Sequence, residues 1–412
     1  MVDVAILGYG TVGSGVVEVL TTNKESINKR AGKKINLKYV LDLREFPGTP
    51  IENILTKDYE DILNDSSVKV IAEVMGGVEP AYTFVKKALL KGKSVVTSNK
   101  ELVARHGAEL LQIAKDNDIN FLFEASVGGG IPIIRPLNQS LTADEIYEIT
   151  GILNGTTNFI LSKMADEGLD FETVLKEAQD RGYAEKNPEA DVEGFDACRK
   201  IAILSSLAFG MQVDFEDIYT EGITKISDVD MMYAKKLGYD IKLLATSKKK
   251  DQKVYAMVSP MMINKDHPLS NVNGVFNAIF VKGNVIGDVM FYGKGAGKLP
   301  TASAVVADIV DAVKHLERNI VSFWSTNKME LTSIESVSSR YFIRLDSKSN
   351  EITRKQIKSV FNDVEFVKIE DVNNEVAFIT ESEEEGKLKQ KVEELKNNIV
   401  TEDILSVIRV DK

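Results

Sequence analysis

The chain has 412 residues, 43% of them hydrophobic, with 62 Asp and Glu against 51 Lys and Arg, giving a net charge of −11. At about 150 residues per domain this length holds two or three cored domains, and the acidic balance disfavours nucleic acid or an anionic membrane as main partner. A single cysteine, Cys198, rules out an internal disulfide, and the three histidines, His106, His267 and His315, are too scattered for a histidine metal centre. No apolar run approaches the roughly 20 residues of a spanning helix, and MVDVAILGYG lacks the basic and apolar regions of a signal peptide, so a cytoplasmic location is expected.

In chain order, VDVAIL (Val2 to Leu7) reads as a buried strand, and GYGTVGSG then opens an amphipathic helix, GVVEVLTTN. INLKYVL, KVIAEVMGG, KSVVTSNK and INFLFEAS repeat the short buried strand, separated by helical stretches such as PAYTFVKKALLKG and GAELLQIAKDN. Strand alternating with helix predicts an α/β fold built on a Rossmann-type, doubly wound parallel sheet over residues 1–130. From about residue 131 the rhythm changes. EIYEITGIL is a strand, FETVLKEAQDRG and FDACRKIAILSSLAFG are helices, and KVYAMVSPMMI, NAIFVKG and NVIGDVMFYG form a strand meander, so 131–298 is expected to be a mixed α+β domain. The meander from Lys253 to Tyr292 has edges that a two-fold partner covers, which predicts a homodimer or homotetramer. LPTASAVVADIVDAVKHLE reads as one long helix, and residues 299–320 are expected to pack back on the first domain. The tail runs YFIRLDS, RKQIKSVFN, VEFVKIED, EVAFITES, EEEGKLKQKVEELKNN and ILSVIRV, that is strand, helix, two strands, helix, strand.

Gly8, Gly10 and Gly13 stand in G-x-G-x-x-G spacing, with Thr11 and Val12 between, directly after a strand and at a helix start. That context predicts a dinucleotide site, the helix N-terminus facing the pyrophosphate; without it the pattern is only a glycine turn. After the second strand, YVLDLRE offers both Asp42, which suits the free 2′-hydroxyl of NAD, and Arg44, which suits the 2′-phosphate of NADP. The two signals conflict, and either residue also reads as a surface charge. Lys100 falls just past a strand at the carboxyl edge of the sheet, where open α/β folds bind ligands, or else is a solvated lysine in a helix's first turn. EASVGGGIPII has backbone able to present several carbonyls to a hard cation, and equally a flexible domain crossover.

EADVEGFDACRK places Asp191, Asp196 and Lys200 at the mouth of the uncharged run IAILSSLAFG. On a helix of about 100° per residue, Asp196, Lys200, Ile203 and Leu207 form one stripe. An exposed i, i+4 ion pair is the ordinary reading of Asp196 and Lys200. Sharing a stripe with Ile203 and Leu207 points instead to a pocket, where a lysine supported by carboxylates can exchange protons.

The ordered set GYGTVGSG, TSNK, EASVGGGIPII, NGTTNF, GYAEKNPEADVEGFDACRK and GKGAGKLPTASAV strongly resembles the homoserine dehydrogenase family over roughly residues 1–320. The resemblance implies NAD- or NADP-dependent interconversion of aspartate semialdehyde and homoserine, in the threonine and methionine branch of amino-acid biosynthesis. It implies Lys200 as catalytic general acid/base and Lys100 as a second lysine near the reacting oxygen. Glu185, Asp191 and Asp196 match substrate-binding and active-site acids. Glu124, Val127, Gly129 and Ile131 match a sodium loop, and Gly295 and Gly297 a second cofactor-facing turn. Residues 339–412 resemble an ACT regulatory domain of ferredoxin-like order, implying an amino-acid effector, although RLDSKSNEITRKQ lacks the usual proline-glycine turn. No aspartokinase segment precedes Met1, so the monofunctional form is expected. Two rival readings are a reductase of another aldehyde or imine, such as dihydrodipicolinate, and a cofactor-sensing module without turnover.

Overall fold

A computed structural model describes residues 1–250, 253–370, 372–398 and 403–411. The elements in chain order are β1 (Val2–Leu7), α1 (Thr11–Thr22), α2 (Lys24–Ala31), β2 (Ile35–Leu41), β3 (Leu55–Thr56), α3 (Tyr59–Asn64), β4 (Val68–Glu73), α4 (Ala81–Leu90), β5 (Ser94–Thr97), α5 (Lys100–Asp116) and β6 (Phe121–Leu122). Then come β7 (Ile146–Ile152), α6 (Gly155–Glu167), α7 (Phe171–Asp180), α8 (Glu189–Val192), α9 (Phe195–Phe209), β8 (Gly210–Gln212), β9 (Tyr219–Thr220), α10 (Asp228–Leu237), β10 (Tyr239–Lys250) and β11 (Lys253–Asn264). The remainder is β12 (Phe276–Gly283), β13 (Gly287–Lys294), α11 (Lys298–Lys314), β14 (Trp324–Lys328), β15 (Ser338–Asp346), α12 (Asn350–Val360), β16 (Val364–Val367), β17 (Glu375–Thr380), β18 (Glu383–Glu384), α13 (Glu385–Asn398) and β19 (Ile404–Val410). The predicted strand VEFVKIED is ordered as β16 over its first half; its last residue, Asp371, lies outside the described residues.

The chain divides into two compact units, each assembled from separate segments. One comprises Met1–Ile149, Arg199–Asp217 and Ala278–Glu330. Its heart is a six-stranded parallel sheet in the order β3-β2-β1-β4-β5-β6, so the strand order reverses between β1 and β4. Open α/β sheets bind ligands at that reversal, outside the carboxyl ends of the strands. β1 and β5 are buried almost throughout because helices cover both faces, whereas β2 keeps four half-buried positions, Asn36 to Tyr39. On one face Val4, Ile6, Val70 and Val96 pack with Val16 of α1, Ile27 of α2 and Val305, Ile309 and Val313 of α11. The long helix over 298–314 therefore returns to the nucleotide-type sheet, fixed by its apolar positions at three- and four-residue spacing.

The second unit comprises Thr150–Cys198, Ile218–Asn277 and the chain from Leu331 onward. It holds a mixed sheet ordered β10-β11-β19-β15-β17-β16, in which β10 and β11 form a long antiparallel hairpin and β11 pairs parallel with β19. Four strands and two helices of the tail follow the order βαββαβ, with β15 central between β19 and β17. Side chains of β15 alternate in use, as strand geometry requires. Tyr341, Ile343 and Leu345 pack with Ile357 of α12 and Leu388 and Leu395 of α13. Phe342 and Arg344 turn the other way, to Tyr233 and Asp230 of α10. The tail sheet is thus covered on both faces, and its partner on the second face precedes it by about a hundred residues of sequence.

Candidate active site

The glycine turn between β1 and α1 shows each glycine's separate use. Gly8 has φ +97°, a conformation that side chains disfavour. A Cβ on Gly13 would collide with the Gly8 carbonyl, whereas one on Gly10 would meet no atom within 4 Å. The turn is therefore tight where strand meets helix and open where a ligand approaches, with Thr11 and Val12 starting α1. Beside it lies a cleft of about 500 Å³ lined by Gly8, Tyr9, Gly10, Asp42, Arg44 and Met75, among others. Asp42 accepts from the Tyr9 N–H at 2.8 Å and from Arg44 through Nε at 2.9 Å and Nη2 at 2.8 Å. The Arg44 guanidinium holds the Asp42 carboxyl well below the usual carboxylate range. Turn, helix start and cleft fit a dinucleotide.

At the far end of the sheet, Lys100 is the first residue of α5, half-buried, behind the cap Asn99, whose side chain accepts from the Leu102 N–H. The loop is braced from beneath. The Thr97 hydroxyl donates to the buried Glu73 carboxylate at 2.6 Å and accepts the Asn99 N–H at 2.9 Å, while Glu73 also accepts from the Met75 N–H at 2.8 Å. Burial pushes the Glu73 carboxyl up. Lys200 is half-buried one turn into α9. Its neighbour Arg199 pairs at 3.5 Å with Glu101, the neighbour of Lys100, and Arg105 and Arg199 both lie over the Phe215 ring. The two lysine-bearing helix starts are therefore tied by the residues beside them.

The glycine run after Glu124 and the second glycine turn meet. A Cβ on Gly129, φ +54°, would collide with the Gly295 carbonyl, and Gly130 N–H donates to the Lys294 carbonyl at 3.1 Å. Gly297 precedes α11 as its cap. The Glu124 carboxylate accepts from the backbone N–H groups of Ile133, Ile134 and Arg135 at 2.6 to 2.8 Å, so its side chain serves the turn that follows. The Ile131 N–H donates to the Gly128 carbonyl and closes the loop. Among the described residues no three His, Cys, Asp or Glu cluster as a metal site. The donors Glu124, Val127, Gly129 and Ile131 can offer are main-chain carbonyls, the type a hard monovalent cation takes.

In the second unit two of the acids, Asp191 and Asp196, meet at the cap of α6. Asp196 is 2% exposed at the start of α9, Asp191 is half-buried in α8, and Glu185 is exposed in the preceding loop. Asn154, the cap of α6, donates through Nδ2 to Asp191 Oδ1 at 2.7 Å and Asp196 Oδ2 at 2.9 Å. Thr156 donates to the Tyr183 carbonyl at 2.7 Å, two residues before Glu185. Asn158 fastens the same helix start to the carbonyls of Val272 and Phe276. NGTTNF is thus the mount for the acid-bearing segment. Asn154 and Thr156 hold this segment in ways that pattern reading passes over; the one local signal, Asn154 and Thr157 as N-x-x-T at a helix start, reads only as a cap.

Comparison with known proteins agrees with this geometry. Residues 132–310 match the family described as homoserine dehydrogenase, and residues 8–124 match homoserine dehydrogenase, NAD binding domain. The chain is 39% identical to homoserine dehydrogenase of Bacillus subtilis over 100% of its own length and 98% of that protein. It is 46% identical to the enzyme of Mycobacterium tuberculosis over 76% of its length and 73% of that protein. Among solved structures, a homoserine dehydrogenase from Thiobacillus denitrificans superimposes with a TM-score of 0.90 at 35% identity, covering 100% of this chain and 98% of that one. A hyperthermophilic archaeal homoserine dehydrogenase in complex with NADPH matches with a TM-score of 0.65 at 29% identity, over 76% of this chain and 97% of that one. The chain belongs to the homoserine dehydrogenase family, NAD(P)-dependent oxidoreductases that interconvert L-aspartate 4-semialdehyde and L-homoserine.

Proposed function

We propose that Lys200 is the general acid/base of this reaction. The nicotinamide, when bound, supplies or accepts the hydride. Protonated Lys200 gives its proton to the aldehyde oxygen on reduction and recovers it from the homoserine hydroxyl on oxidation. Lys100 polarises the same oxygen. Asp196, Asp191 and Glu185 attract the substrate's ammonium, a role suited to carboxylates gathered where a zwitterion binds. The observation that carries this reading is the junction of α8 and α9, where Asp191 and Asp196 are held by one amide and half-buried Lys200 follows Asp196 by four residues on the same helix. Initial rates with homoserine and each nicotinamide cofactor, with and without threonine, test it. Preference for another aldehyde or imine substrate, dihydrodipicolinate included, would favour the rival reductase.

The cofactor turn comprises Gly8, Gly10, Thr11, Val12 and Gly13, with Gly295 and Gly297 as the second turn. With Asp42 engaged by Arg44, the guanidinium is the group presented toward a 2′-phosphate, which favours NADP over NAD. A sodium ion held by carbonyls of Glu124, Val127, Gly129 and Ile131 would brace the Gly129 to Gly295 contact. Residues 1–130, 131–298 and 339–412 are read as cofactor, catalytic and ACT-like parts, the last supported by its βαββαβ order and by β15 lying between β19 and β17. A homodimer or homotetramer is supported by β13, where Met290 and Tyr292 are exposed. No helix among the described residues is long and apolar enough to cross a membrane.

A further inference from the structure

We propose that Asn154 is a positioning residue for substrate, holding Asp191 and Asp196 as a pair shaped to receive an ammonium. The inference rests on the reading that these acids bind the substrate's amino group. The orientation of the Asn154 amide is fixed by what its oxygen accepts: the Thr157 N–H at 2.9 Å and the Thr157 hydroxyl at 3.1 Å. Flipping the amide would set its NH2 against the Thr157 N–H and its oxygen against two carboxylates, so a single orientation satisfies every partner. The two N–H bonds of Nδ2 are then divided between Asp191 Oδ1 at 2.7 Å and Asp196 Oδ2 at 2.9 Å, acids 37 and 42 residues away in sequence.

The chemistry of the donor matters as much as its place. Two carboxylates brought this close repel, and something must hold them. A carboxamide holds both oxygens and adds no charge of its own to the pair. The mount is rigid because Asn154 is buried and its helix start is fastened by Thr156 to Tyr183 and by Asn158 to Val272 and Phe276.

The test separates this role from helix capping. Serine and aspartate both cap helices well, so Asn154→Ser and Asn154→Asp preserve the acceptor for Thr157 while removing the shared donor; Asn154→Asp also adds a third carboxylate. Loss of charge-assisted hydrogen bonds is expected to raise the KM for homoserine about 10–100-fold, more in Asn154→Asp than in Asn154→Ser, with the Kd for NADP+ near that of the unaltered protein in both, and the Tm near it in Asn154→Ser but lowered in Asn154→Asp by the third carboxylate. Combined with Asp196→Asn, Asn154→Ser is expected to add little, because both act at one pair. An unaltered homoserine KM in both capping variants overturns the inference, as does a parallel loss of NADP+ affinity. If Asp196→Asn alone leaves homoserine kinetics unchanged, the reading of the acids fails and the positioning role falls with it. If Asp196→Asn is impaired and Asn154→Ser is not, only the positioning role is lost.

Discussion

Asp42 and Arg44, two residues apart at the end of β2, form a two-point ion pair, Nε to Oδ1 at 2.9 Å and Nη2 to Oδ2 at 2.8 Å. The acid that would read a free ribose hydroxyl is therefore occupied by the base that would read a phosphate. Arg44→Ala is expected to raise the KM for NADP+ by about tenfold, roughly one charge-assisted contact, and to leave or improve use of NAD+ as Asp42 is released. Initial rates against each cofactor at saturating homoserine check this; an unchanged ratio between cofactors would remove Arg44 from the 2′ site.

A second expectation concerns Lys242, 2% exposed in β10, whose ammonium donates to the Val272 carbonyl at 2.8 Å and to Asn273 Oδ1 at 2.7 Å. Burial pulls it down from 10.5 to about 8, against the weaker opposing pull of Asp240 and Asp166. Between those values the unfolded chain keeps a proton that the folded one has released, so stability rises with pH across that window. Below pH 8 both states hold the proton and the burial cost is complete. In denaturant titrations from pH 7.5 to 10.5, Lys242→Met should lose this rise, a difference of up to about 3 kcal/mol. Parallel pH profiles for the two proteins would show that Lys242 does not titrate differently on folding.

Arg344 gives a larger and simpler effect. Its Nη1 lies 2.7 Å from Asp230 and its Nη2 3.1 Å from Glu375, with the arginine side chain 6% exposed. Removing one partner leaves a buried charge unpaired, a loss of about 3–5 kcal/mol. Arg344→Ala should lower the urea midpoint accordingly, and a change under about 1 kcal/mol would mean that solvent reaches the cluster.

The tail is expected to respond weakly to threonine. The Ser347 to Ser349 turn between β15 and α12 has no glycine where an effector would approach backbone. Threonine at submillimolar concentration should leave homoserine oxidation within about twofold, below the fivefold that about 1 kcal/mol of coupling produces. Strong inhibition that disappears on deleting residues 339–412 would contradict this.

Much of the architecture is written locally. β1, the glycine turn and α1 announce themselves because a buried parallel strand, a G-x-G-x-x-G and a helix period are all short-range signals. Of the stripe Asp196, Lys200, Ile203 and Leu207, three are buried and Lys200 is half-buried, but Ala197, Ile201, Ala202, Leu204 and Ser205 are buried as well, so α9 is enclosed on more sides than its stripe implies. What pattern reading passes over depends on partners far along the chain. Lys242 sits in YDIKLLATSKKK, where alternation would send it to solvent, yet β10 is buried on both faces and keeps it inside. Asn154 reads as a cap and is one, but its second use requires α8 and α9 to fold against α6. β3 has two residues and gains its place only from pairing with β2.

The central claim is that Lys200 carries the proton of the homoserine reaction. It is tested most directly by the turnover number of Lys200→Ala in homoserine oxidation, measured on protein shown to be folded and to bind nucleotide. The account predicts a loss of at least about 10²-fold, the lower size of a missing general acid. Near-normal turnover in that folded, nucleotide-binding variant would contradict it.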